Sequence, residues 1–553
     1  MAFTELADAP ASADISDKTK QLVASAGAQA LAACASGSDK SGDGGVTPPP
    51  LGAAQAASFL GKAGFGATKE ELARVQTLGL QAWLQEQFTL PRETSHWDWL
   101  VAKGYNAAGL GNTIAGFDNT VWRQLITGKD VLRQRVTLAL SEIVVVGING
   151  LVGGWRNFQA AAYLDLLADN AFGNYRTLLE KISMLPAMGF YLTFLNNAKS
   201  NPTTGTQPDE NYARELMQLF TIGLFQLNPD GTVQKDASGK PIETYAQEDI
   251  SGLARVFTGW VLDSTDNATP DRMRRPMVQN PARHELGAKT FLGTAIPAGT
   301  DGVQSLKLAL DAIYAHPNVA PFISKQLIQR LVVSNPSPAY VQRVATIFNN
   351  NGSGVKGDLK AVISAILTDG EAITPAAASA GKLREPIVRF ASWARVFGAT
   401  SPTDAWDIGN TSDAGTRLGQ SPVHSESVFN FFRPGYVPPG TTIAQQGLVA
   451  PEFQITNESS VASYLNYMQA AIQNGRGEVK ANYADWLPLA ADARKLLDQI
   501  NLQLAGDALS INTISTVKTA IETILPTTPN GPLQRVQAAI LLVMAAPEYI
   551  VQK

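Results

Sequence analysis

From Gly52 onward, apolar residues recur at three- and four-residue spacing, and this spacing constrains the fold more than any other feature of the sequence. Such a period gives a helix one apolar face, whereas a half-buried strand needs alternation at every second residue. Thr68 stands directly before a helical segment that carries Glu70 and Glu71 in its first turn, which is the pattern of a helix start. The spacing therefore predicts a mainly α protein: a large multi-helix array with long ordered loops.

The two longest amphipathic segments cover residues 121–147 and 157–184. Segments rich in Gly, Pro, Asn and Ser separate the later helices from one another. One of them, Asn228–Ile242, contains Asn-Pro-Asp-Gly and Ser-Gly turn signals and is compatible with one small β-hairpin. No internal repeat is evident in the chain.

Chain length bears on how the helices are organised. The 553 residues exceed the roughly 250–300 at which a single core usually stops growing. With 45% hydrophobic residues, residues 51–553 are expected to form a helical body, either one long array or two lobes packed as one unit. Residues 1–50 cannot bury enough apolar surface to offset the entropy cost of ordering, and we expect a disordered leader or tether there.

The charge balance excludes two classes of partner. Lys and Arg total 44 against 48 Asp and Glu, so the net charge is only −4 and no basic stripe marks a nucleic-acid site. No polybasic segment would hold the chain on an anionic membrane surface. The most apolar runs, Val136–Trp155 and Ala538–Ala546, are interrupted or too short to span a bilayer.

The single cysteine, Cys34, excludes an intramolecular disulfide and any Cys-based zinc site. It follows Leu31-Ala32-Ala33 and precedes a polar, glycine-rich stretch. This order resembles a bacterial lipoprotein signal, in which such a cysteine becomes acylated. The first 17 residues are acidic where a leader should be basic, so a disordered arm with a chance cysteine is the alternative.

The densest group of polar residues runs from Asp209 to Phe220, directly after a loop rich in Pro, Thr and Gly. Glu210 and Arg214 lie four residues apart on one helix face, as do Asn211 and Glu215. Glu210 and Glu215 are separated by about 140° around the helix and cannot by themselves act as a paired acid and base. The segment fits either an ordinary intrahelical ion pair or an active site on a rigid scaffold.

Two further segments add candidate residues. Arg255 follows a helix start at Thr244–Asp249, whose acidic residues are explained by the helix dipole. His284 and Lys289 stand among glycines, a setting that suits proton transfer or a metal. No His-Glu-x-x-His spacing is present, and with four histidines in the chain a three-histidine zinc site is not favoured.

His316 precedes Pro317 at a helix start, where a histidine more often caps the helix than binds a ligand. Gln420 and Arg433 belong to a segment that brings four aromatic residues together with polar groups. That segment is either a loop held by aromatic packing or a surface that contacts a carbohydrate or another polymer.

Several of these strings share one resemblance. They are Phe59-Leu60, Gly66-Ala67-Thr68, the run Glu210–Glu215, Ala254-Arg255, Thr258-Gly259-Trp260, His284, the run Lys289–Gly293, His316-Pro317, Leu418-Gly419-Gln420 and Pro547-Glu548-Tyr549. Together they resemble the bacterial domain-of-unknown-function 1800 family over roughly residues 55–550. Glu285 stands where that family usually has Asp, and the residues after Gln420 differ from its commoner Val-x-Gly-Trp.

The resemblance implies a mainly helical, exported protein that is often encoded beside a secreted, sulfatase-like family. We therefore expect an extracytoplasmic location, periplasmic or at the cell surface, with a lipid on Cys34 as the membrane anchor and a sulfatase-like protein as an exported partner. The resemblance supplies no established reaction.

Two functions remain open. In the first, the chain is a hydrolase-type enzyme acting on an extracellular polymer. Glu215 or Glu210 is then the acid or base, His284 the proton shuttle, and Arg214 and Lys289 the anion clamps, while carboxylates could hold a divalent cation. Asn211, Arg255, His316, Gln420 and Arg433 are the candidate substrate- or partner-binding residues. In the second, the same residues form a packing network, and the chain docks an exported partner without catalysis.

Overall fold

The computed structural model describes residues 51–374 and 380–553. Cys34 and the expected leader or tether at residues 1–50 lie outside the described residues. The mainly α prediction is confirmed, because helices dominate the described ranges and the strands there pair only in two-stranded sheets. No helix in these ranges has both the length and the apolar character that a bilayer crossing requires.

The first half of the described chain holds eleven named α-helices. They are α1 (Ala53–Ala63), α2 (Lys69–Leu78), α3 (Leu80–Thr89), α4 (His96–Ala102), α5 (Phe117–Thr127), α6 (Val131–Ser141), α7 (Arg156–Asn170), α8 (Tyr175–Ser183), α9 (Pro186–Tyr191), α10 (Asn211–Gln218) and α11 (Gln247–Ala254). The 3₁₀ turns Ala108–Leu110, Ile148–Gly150, Arg255–Phe257 and Asp271–Met273 connect them.

The second half of the described chain is also mainly helical. Its helices are α12 (Gly302–Ala315), α13 (Val319–Leu331), α14 (Pro338–Asn349), α15 (Leu359–Thr368), α16 (Gly370–Ile373), α17 (Pro386–Val396), α18 (Thr442–Gln445), α19 (Glu458–Asn474), α20 (Ala493–Ile500), α21 (Ile511–Glu522), α22 (Gly531–Ala545) and α23 (Pro547–Ile550). Short 3₁₀ segments at Pro451–Ile455 and Leu487–Ala491 and a π-helical turn at Asn501–Ala505 complete it.

The described residues contain three antiparallel pairs of short strands, of which the last joins distant parts of the chain. They are β1 (Trp260–Val261) with β2 (Val278–Gln279), β3 (Lys289–Phe291) with β4 (Thr294–Ile296), and β5 (Lys382–Leu383) with β6 (Val551–Gln552). The segment Asn228–Ile242 folds back through single bridges, one of which joins Lys235 to Pro241. The β3–β4 hairpin lies elsewhere, on the outside of α11.

The helix start predicted at Thr68 is confirmed. Thr68 Oγ1 accepts a hydrogen bond from the Glu71 N–H at 3.2 Å, as expected of an N-cap. The segments 121–147 and 157–184 are each divided into two helices. Gly128 ends α5, and Asn174, whose side chain accepts the Arg176 N–H, starts α8. These internal stops shorten the helices and let the chain turn within the core.

One contiguous apolar core runs from Ala56 near the first helix to Tyr549 near the last. Large aromatic residues such as Trp122, Trp260 and Trp393 are fully buried in it. The polar residues of interest lie where helix ends and loops meet this core, and α10 and α11 contact each other there.

Candidate functional site

The start of α10 is held by its own loop. Asp209 Oδ1 accepts the Asn211 N–H at 2.9 Å, and Asp209 Oδ2 accepts the Thr193 hydroxyl at 3.0 Å. The Asn197 side chain in turn accepts the Asp209 N–H at 3.0 Å. Asn211 donates to Thr193 Oγ1 at 2.8 Å, so the segment after α9 is fixed against the first turn of α10.

Both carboxylate oxygens of Glu210 accept hydrogen bonds. Its Oε1 accepts the Ser251 hydroxyl at 2.6 Å, and its Oε2 accepts the Gln247 side-chain amide at 2.8 Å. Arg214 Nη2 also donates to Oε2, at 3.1 Å. Glu210 therefore ties α10 to α11, which is what a packing residue does.

Glu215 is in the opposite situation. Its Oε2 is buried and has no hydrogen-bond partner. Burial raises the pKa of Glu215 to about 7, and the neighbouring charge of Arg214 only partly opposes that rise. A carboxyl group with this pKa is both protonated and ionised in substantial amounts at neutral pH.

Two tyrosines border Glu215. Burial raises the pKa of Tyr191 and of Tyr245 to about 12 each, and the charge of Glu215 adds to both shifts. The Tyr245 hydroxyl donates to the Gln218 side chain at 3.4 Å. Glu215 thus lies among phenol groups that stay neutral at physiological pH.

His284 has one fixed nitrogen and one unused nitrogen. Its Nδ1 lies 2.9 Å from the Thr258 carbonyl oxygen, so Nδ1 carries the proton and donates it there. Its Nε2 is buried without a partner. Burial lowers the pKa of His284, and the hydrogen bond to Thr258 opposes this only in part. The imidazole is therefore neutral, with a lone pair on Nε2.

Lys289 in β3 is also buried, and its Nζ has no hydrogen-bond partner. Burial lowers the pKa of Lys289, while the charge of Glu285 raises it. Gln279 Oε1 is a third buried atom without a partner in this region, and the Gln279 side chain fills the space against Gly259 and Gly302. In this region, His284 Nε2 and Gln279 Oε1 are hydrogen-bond acceptors without a partner, and Lys289 Nζ is a donor without a partner.

A polar row, formed by Ser251 on α11 and by Arg255 directly after α11, runs from Glu210 to the residue before β3. Ser251, which binds Glu210, lies one helical turn before Arg255, and Arg255 Nη1 donates to the Ala288 carbonyl oxygen at 3.4 Å. Next to this row, a Cβ on Gly252 would overlap the Thr290 carbonyl oxygen. The absence of a side chain at position 252 therefore lets strand β3 lie directly against α11.

The remaining predicted residues make their contacts in other parts of the molecule. His316 ends α12, where its Nδ1 accepts the Asn318 N–H at 3.1 Å. The opposite end of α12, at Asp301, is the one near His284, and 14 residues of helix span about 21 Å. Gln420 is fully buried, and Arg433 is exposed with its guanidinium 4.6 Å from the Phe429 ring centre.

Gln420 instead belongs to a group of charged residues that the sequence reading did not find, which we call the buried ion cluster. Its charged members are Arg135, Glu142, Arg330, Lys382, Glu385 and Glu452, each no more than 6% exposed. Lys382 Nζ lies 3.1 Å from Glu385 Oε1 and 3.1 Å from Glu452 Oε1. Gln420 Nε2 donates to Glu385 Oε2 at 2.9 Å.

The two central carboxyl groups of the buried ion cluster titrate in opposite directions. Burial and the adjacent charge of Glu385 raise the pKa of Glu142 well above its usual range. Burial alone would raise the pKa of Glu385 as well, but the positive charges of Lys382, Arg135 and Arg330 outweigh it and lower that pKa. Glu142 is therefore the protonated member and Glu385 the ionised one.

One signal in the sequence pointed to this cluster. Glu142 interrupts the apolar run Val136–Trp155, and a charge inside such a run needs a buried partner. The partners lie about 190 to 310 positions further along the chain, at Arg330, Lys382, Glu385 and Glu452. Helical spacing reports only on neighbours within a turn, so it could not find them.

Within residues 51–374 and 380–553, no three His, Cys, Asp or Glu side chains are arranged to hold a metal ion. The family model described as "Protein of unknown function (DUF1800)" matches residues 58–551. The chain belongs to the DUF1800 family. Neither the curated proteins nor the solved structures contain a match to this DUF1800 chain. The family assignment expected from the Glu210–Glu215 and Lys289–Gly293 strings is thus confirmed.

Proposed function

We propose that this protein is a hydrolase-type enzyme in which Glu215 transfers a proton to or from an extracellular polymer. The observation that carries the proposal is the unpartnered Oε2 of Glu215, together with a pKa raised to about 7. General acid–base catalysis is most effective when the pKa of the group lies near the working pH. Glu215 meets that condition, whereas Glu210 is held by three hydrogen bonds.

In this proposal, protonated Glu215 gives its proton to the leaving oxygen of the cleaved bond. A water molecule supplies the hydroxyl group, and the other proton of that water restores protonated Glu215. Arg214, held by Glu210, keeps a positive charge beside the carboxylate that forms. Neutral His284 offers a second proton acceptor through Nε2, at the far end of the polar row on α11.

The location of the protein is part of the proposal. Membership of the DUF1800 family and the Leu31-Ala32-Ala33-Cys34 sequence support an exported, lipid-anchored protein. Mass spectrometry of the protein purified from its own cells tests this. A diacylated N-terminus at Cys34 is expected, and an unmodified Cys34 within a longer chain would contradict the anchor.

Activity is tested with purified protein on a panel of bacterial cell-wall and capsular polysaccharides, by release of reducing ends. Glu215→Gln keeps the shape but cannot transfer the proton, so a loss of about 100-fold or more is expected. Glu210→Gln is the matched control on the same helix and should stay within about tenfold. Equal activity of the wild type and Glu215→Gln on every polymer that is cleaved would overturn the proposal.

A non-catalytic role as a binding or assembly protein has one observation in its favour. The hydrogen bonds of Glu210 to Arg214, Gln247 and Ser251 form a network that fixes the packing of α10 on α11. If that network exists for docking, the chain should co-purify with an exported sulfatase-like protein. Glu210→Gln would then weaken the complex, and Glu215→Gln would leave it intact.

A further inference from the structure

A serine and a lysine meet on helix α1, at the edge of a cavity. Ser58 and Lys62 lie four residues apart, and Lys62 Nζ donates a hydrogen bond to Ser58 Oγ at 3.0 Å. Lys62 is 2% exposed, whereas Ser58 is half-buried and lines the cavity. The Ser58 hydroxyl also donates to the Lys553 main-chain oxygen, at the long distance of 3.5 Å. Ser58 Oγ therefore stands between a buried amine and the cavity.

The amine of Lys62 is held in one orientation by a second contact. Its Nζ donates to the Ala372 carbonyl oxygen at 2.8 Å. When the amine is neutral, one N–H can stay on that carbonyl while the nitrogen lone pair accepts the proton of the Ser58 hydroxyl. A lysine that loses its proton in this way serves as a general base. The contact with Ala372 thus turns the lone pair toward Ser58.

The surroundings of Lys62 favour its neutral form. Burial, and to a smaller extent the positive charge of Arg384, lowers the pKa of Lys62 to about 8. Glu371, on the neighbouring helix α16, is bound instead by Ser337 and Arg343. Roughly one tenth of the Lys62 amine is therefore uncharged at pH 7, and about half at pH 8.

The cavity beside Ser58 has a volume of about 210 Å³. Helices α1 and α17, strand β6 and the turn after α20 form its wall. Much of that wall is apolar and is built from Ala57, Val388, Leu504 and Val551. An apolar cavity of about 150 Å³ is large enough for benzene. The cavity can therefore hold an acyl group of a few carbon atoms.

A cation lines the same cavity. Arg384 Nη1 donates to the Leu504 carbonyl oxygen at 3.1 Å, and Arg384 Nε has no hydrogen-bond partner. Arg384 Nη2 lies 3.9 Å from the Cβ position of Gly61. Gly61 stands three residues after Ser58 on the same face of α1. The guanidinium thus places a positive charge on the side of the cavity where an oxyanion at Ser58 would form.

We propose that Ser58 and Lys62 are the nucleophile and the general base of a second active site, which hydrolyses small carboxylic esters in this cavity. A nucleophile within hydrogen-bond reach of its base, beside a space for the reacting group, is the arrangement that covalent catalysis requires. The activity is independent of the proposed role of Glu215, because other segments of the chain line this cavity.

The reaction proceeds in two stages. Ser58 Oγ forms a bond to the ester carbonyl carbon, and its proton passes to Lys62 Nζ. Lys62 then gives that proton to the leaving alcohol oxygen as the ester C–O bond breaks, which leaves the acyl group on Ser58. In the second stage a water molecule attacks the acyl carbon and gives a proton to Lys62. The proton returns to Ser58 Oγ as the carboxylic acid leaves, while Arg384 stabilises the oxyanion in both stages.

A fluorophosphonate probe tests the pair without a known substrate. An activated serine forms a bond from its oxygen to the phosphorus of the probe and expels fluoride, and peptide mass spectrometry of the full chain locates the adduct. We expect the adduct on Ser58, at a rate that rises with pH through about 8 as Lys62 loses its proton. Absence of an adduct on Ser58 at pH 9 would overturn the inference.

Two variants separate catalysis from packing. Lys62→Met fills the space without an amine, so the labelling rate should fall about 100-fold or more and lose its rise near pH 8. Ser392→Ala is the matched control, because Ser392 lines the same cavity but its hydroxyl has no hydrogen-bond partner. That variant should label within about twofold of the wild type. Equal labelling of Lys62→Met and the wild type would reduce the pair to a packing contact. Thermal unfolding confirms that each variant is folded.

The size of the acyl group is tested with two esters, p-nitrophenyl acetate and p-nitrophenyl dodecanoate. The acetate should be hydrolysed, and Ser58→Ala should reduce that rate about 100-fold or more. The longer chain exceeds the cavity, so the dodecanoate should react at least about tenfold more slowly. Faster hydrolysis of the dodecanoate, or full activity of Ser58→Ala on the acetate, would contradict the assignment to small esters.

Discussion

Glu385 in the buried ion cluster and Glu215 beside α11 carry the same carboxyl group, yet their pKa values move in opposite directions. Lys382, in contact with Glu385 and Glu452, provides enough positive charge to lower the pKa of Glu385 despite complete burial. Glu215 is less deeply buried, yet its pKa rises to about 7 because Arg214 is the one cation that opposes the effect of burial. Local counter-charge, more than depth, decides which carboxylate is ionised.

The buried ion cluster and Glu215 use charged side chains for different purposes. A cluster with paired charges and no solvent is suited to holding helix ends together, and it is costly to disturb. A carboxyl group with an unused oxygen at the edge of the core is suited to exchanging a proton. Each of the following changes tests which description fits which region.

Removing the central cation of the buried ion cluster should have the largest effect. Lys382→Met leaves Glu385 and Glu452 buried without their shared partner, and a loss of about 3–5 kcal/mol of unfolding free energy is expected. Urea unfolding measures it. Arg214→Met is the control beside Glu215 and should cost less than about 1 kcal/mol, as partly exposed ion pairs do. Similar losses in the two variants would erase the distinction between the regions.

The two central carboxyl groups of the cluster should respond differently to the same substitution. Glu385→Gln removes an ionised group that compensates Lys382, so a loss of about 2–3 kcal/mol at pH 7 is expected. Glu142→Gln imitates the protonated form already present and should cost less than about 1 kcal/mol. If Glu142→Gln is the more damaging change, the assignment of the proton is wrong.

The pH dependence of these two variants follows from the direction of each shift. The pKa of Glu142 is raised, so its contribution to stability is complete below the ordinary glutamate range and is lost as pH rises through the folded value. The pKa of Glu385 is lowered, so its contribution is present above the ordinary range and is lost as pH falls through the folded value. Unfolding of Glu142→Gln should therefore be less sensitive to alkaline pH than that of the wild type.

Glu215 should show a smaller effect of the same sign as Glu142. Its pKa is raised to about 7, so its stabilising contribution is complete below the ordinary glutamate range and is lost as pH rises through about 7. Glu215→Gln should therefore stabilise the protein by about 1–2 kcal/mol at pH 8.5, a figure reduced for partial exposure. Near pH 4 the variant and the wild type should unfold at similar urea concentrations.

The smallest effect is expected in the network around Glu210. Ser251→Ala removes one hydrogen bond from a carboxylate that keeps two others, so the loss should be about 0.5–1 kcal/mol. Thr77→Ala is a suitable comparison, because that hydroxyl donates only to a backbone carbonyl of its own exposed helix. A loss above about 2 kcal/mol for Ser251→Ala would make the contact between α10 and α11 as critical as the buried ion cluster.

The sequence predicts the local features of this molecule well. The cap at Thr68, the Glu210–Arg214 pair and the apolar face of α10 all arise between residues one turn apart, where helical spacing applies. The internal stops at Gly128 and Asn174 carry weaker signals, so two expected long helices are each divided.

The site is less predictable because its contacts are long-range. Glu210 and Glu215 stand five positions apart, yet the hydrogen bonds to Glu210 and the burial of Glu215 give the two carboxyl groups different chemistry. Ser251 and Glu210, which share a hydrogen bond of 2.6 Å, are 41 positions apart, and no helical periodicity connects them. Side chains that meet across the core become visible only when the helices are assembled.

The close contact between Gly252 and Thr290 makes the position of strand β3 depend on residue 252 having no side chain. A single methyl group there would meet the Thr290 carbonyl oxygen and push strand β3 away from α11. Lys289 and the neighbouring His284 would shift with the strand, while Glu210 and Glu215 would stay with α10. Gly252→Ala would therefore change the distance between the Lys289 and His284 side chains and those of Glu210 and Glu215, without replacing any polar residue. A displacement of about 1 Å can reduce a reaction rate 100-fold.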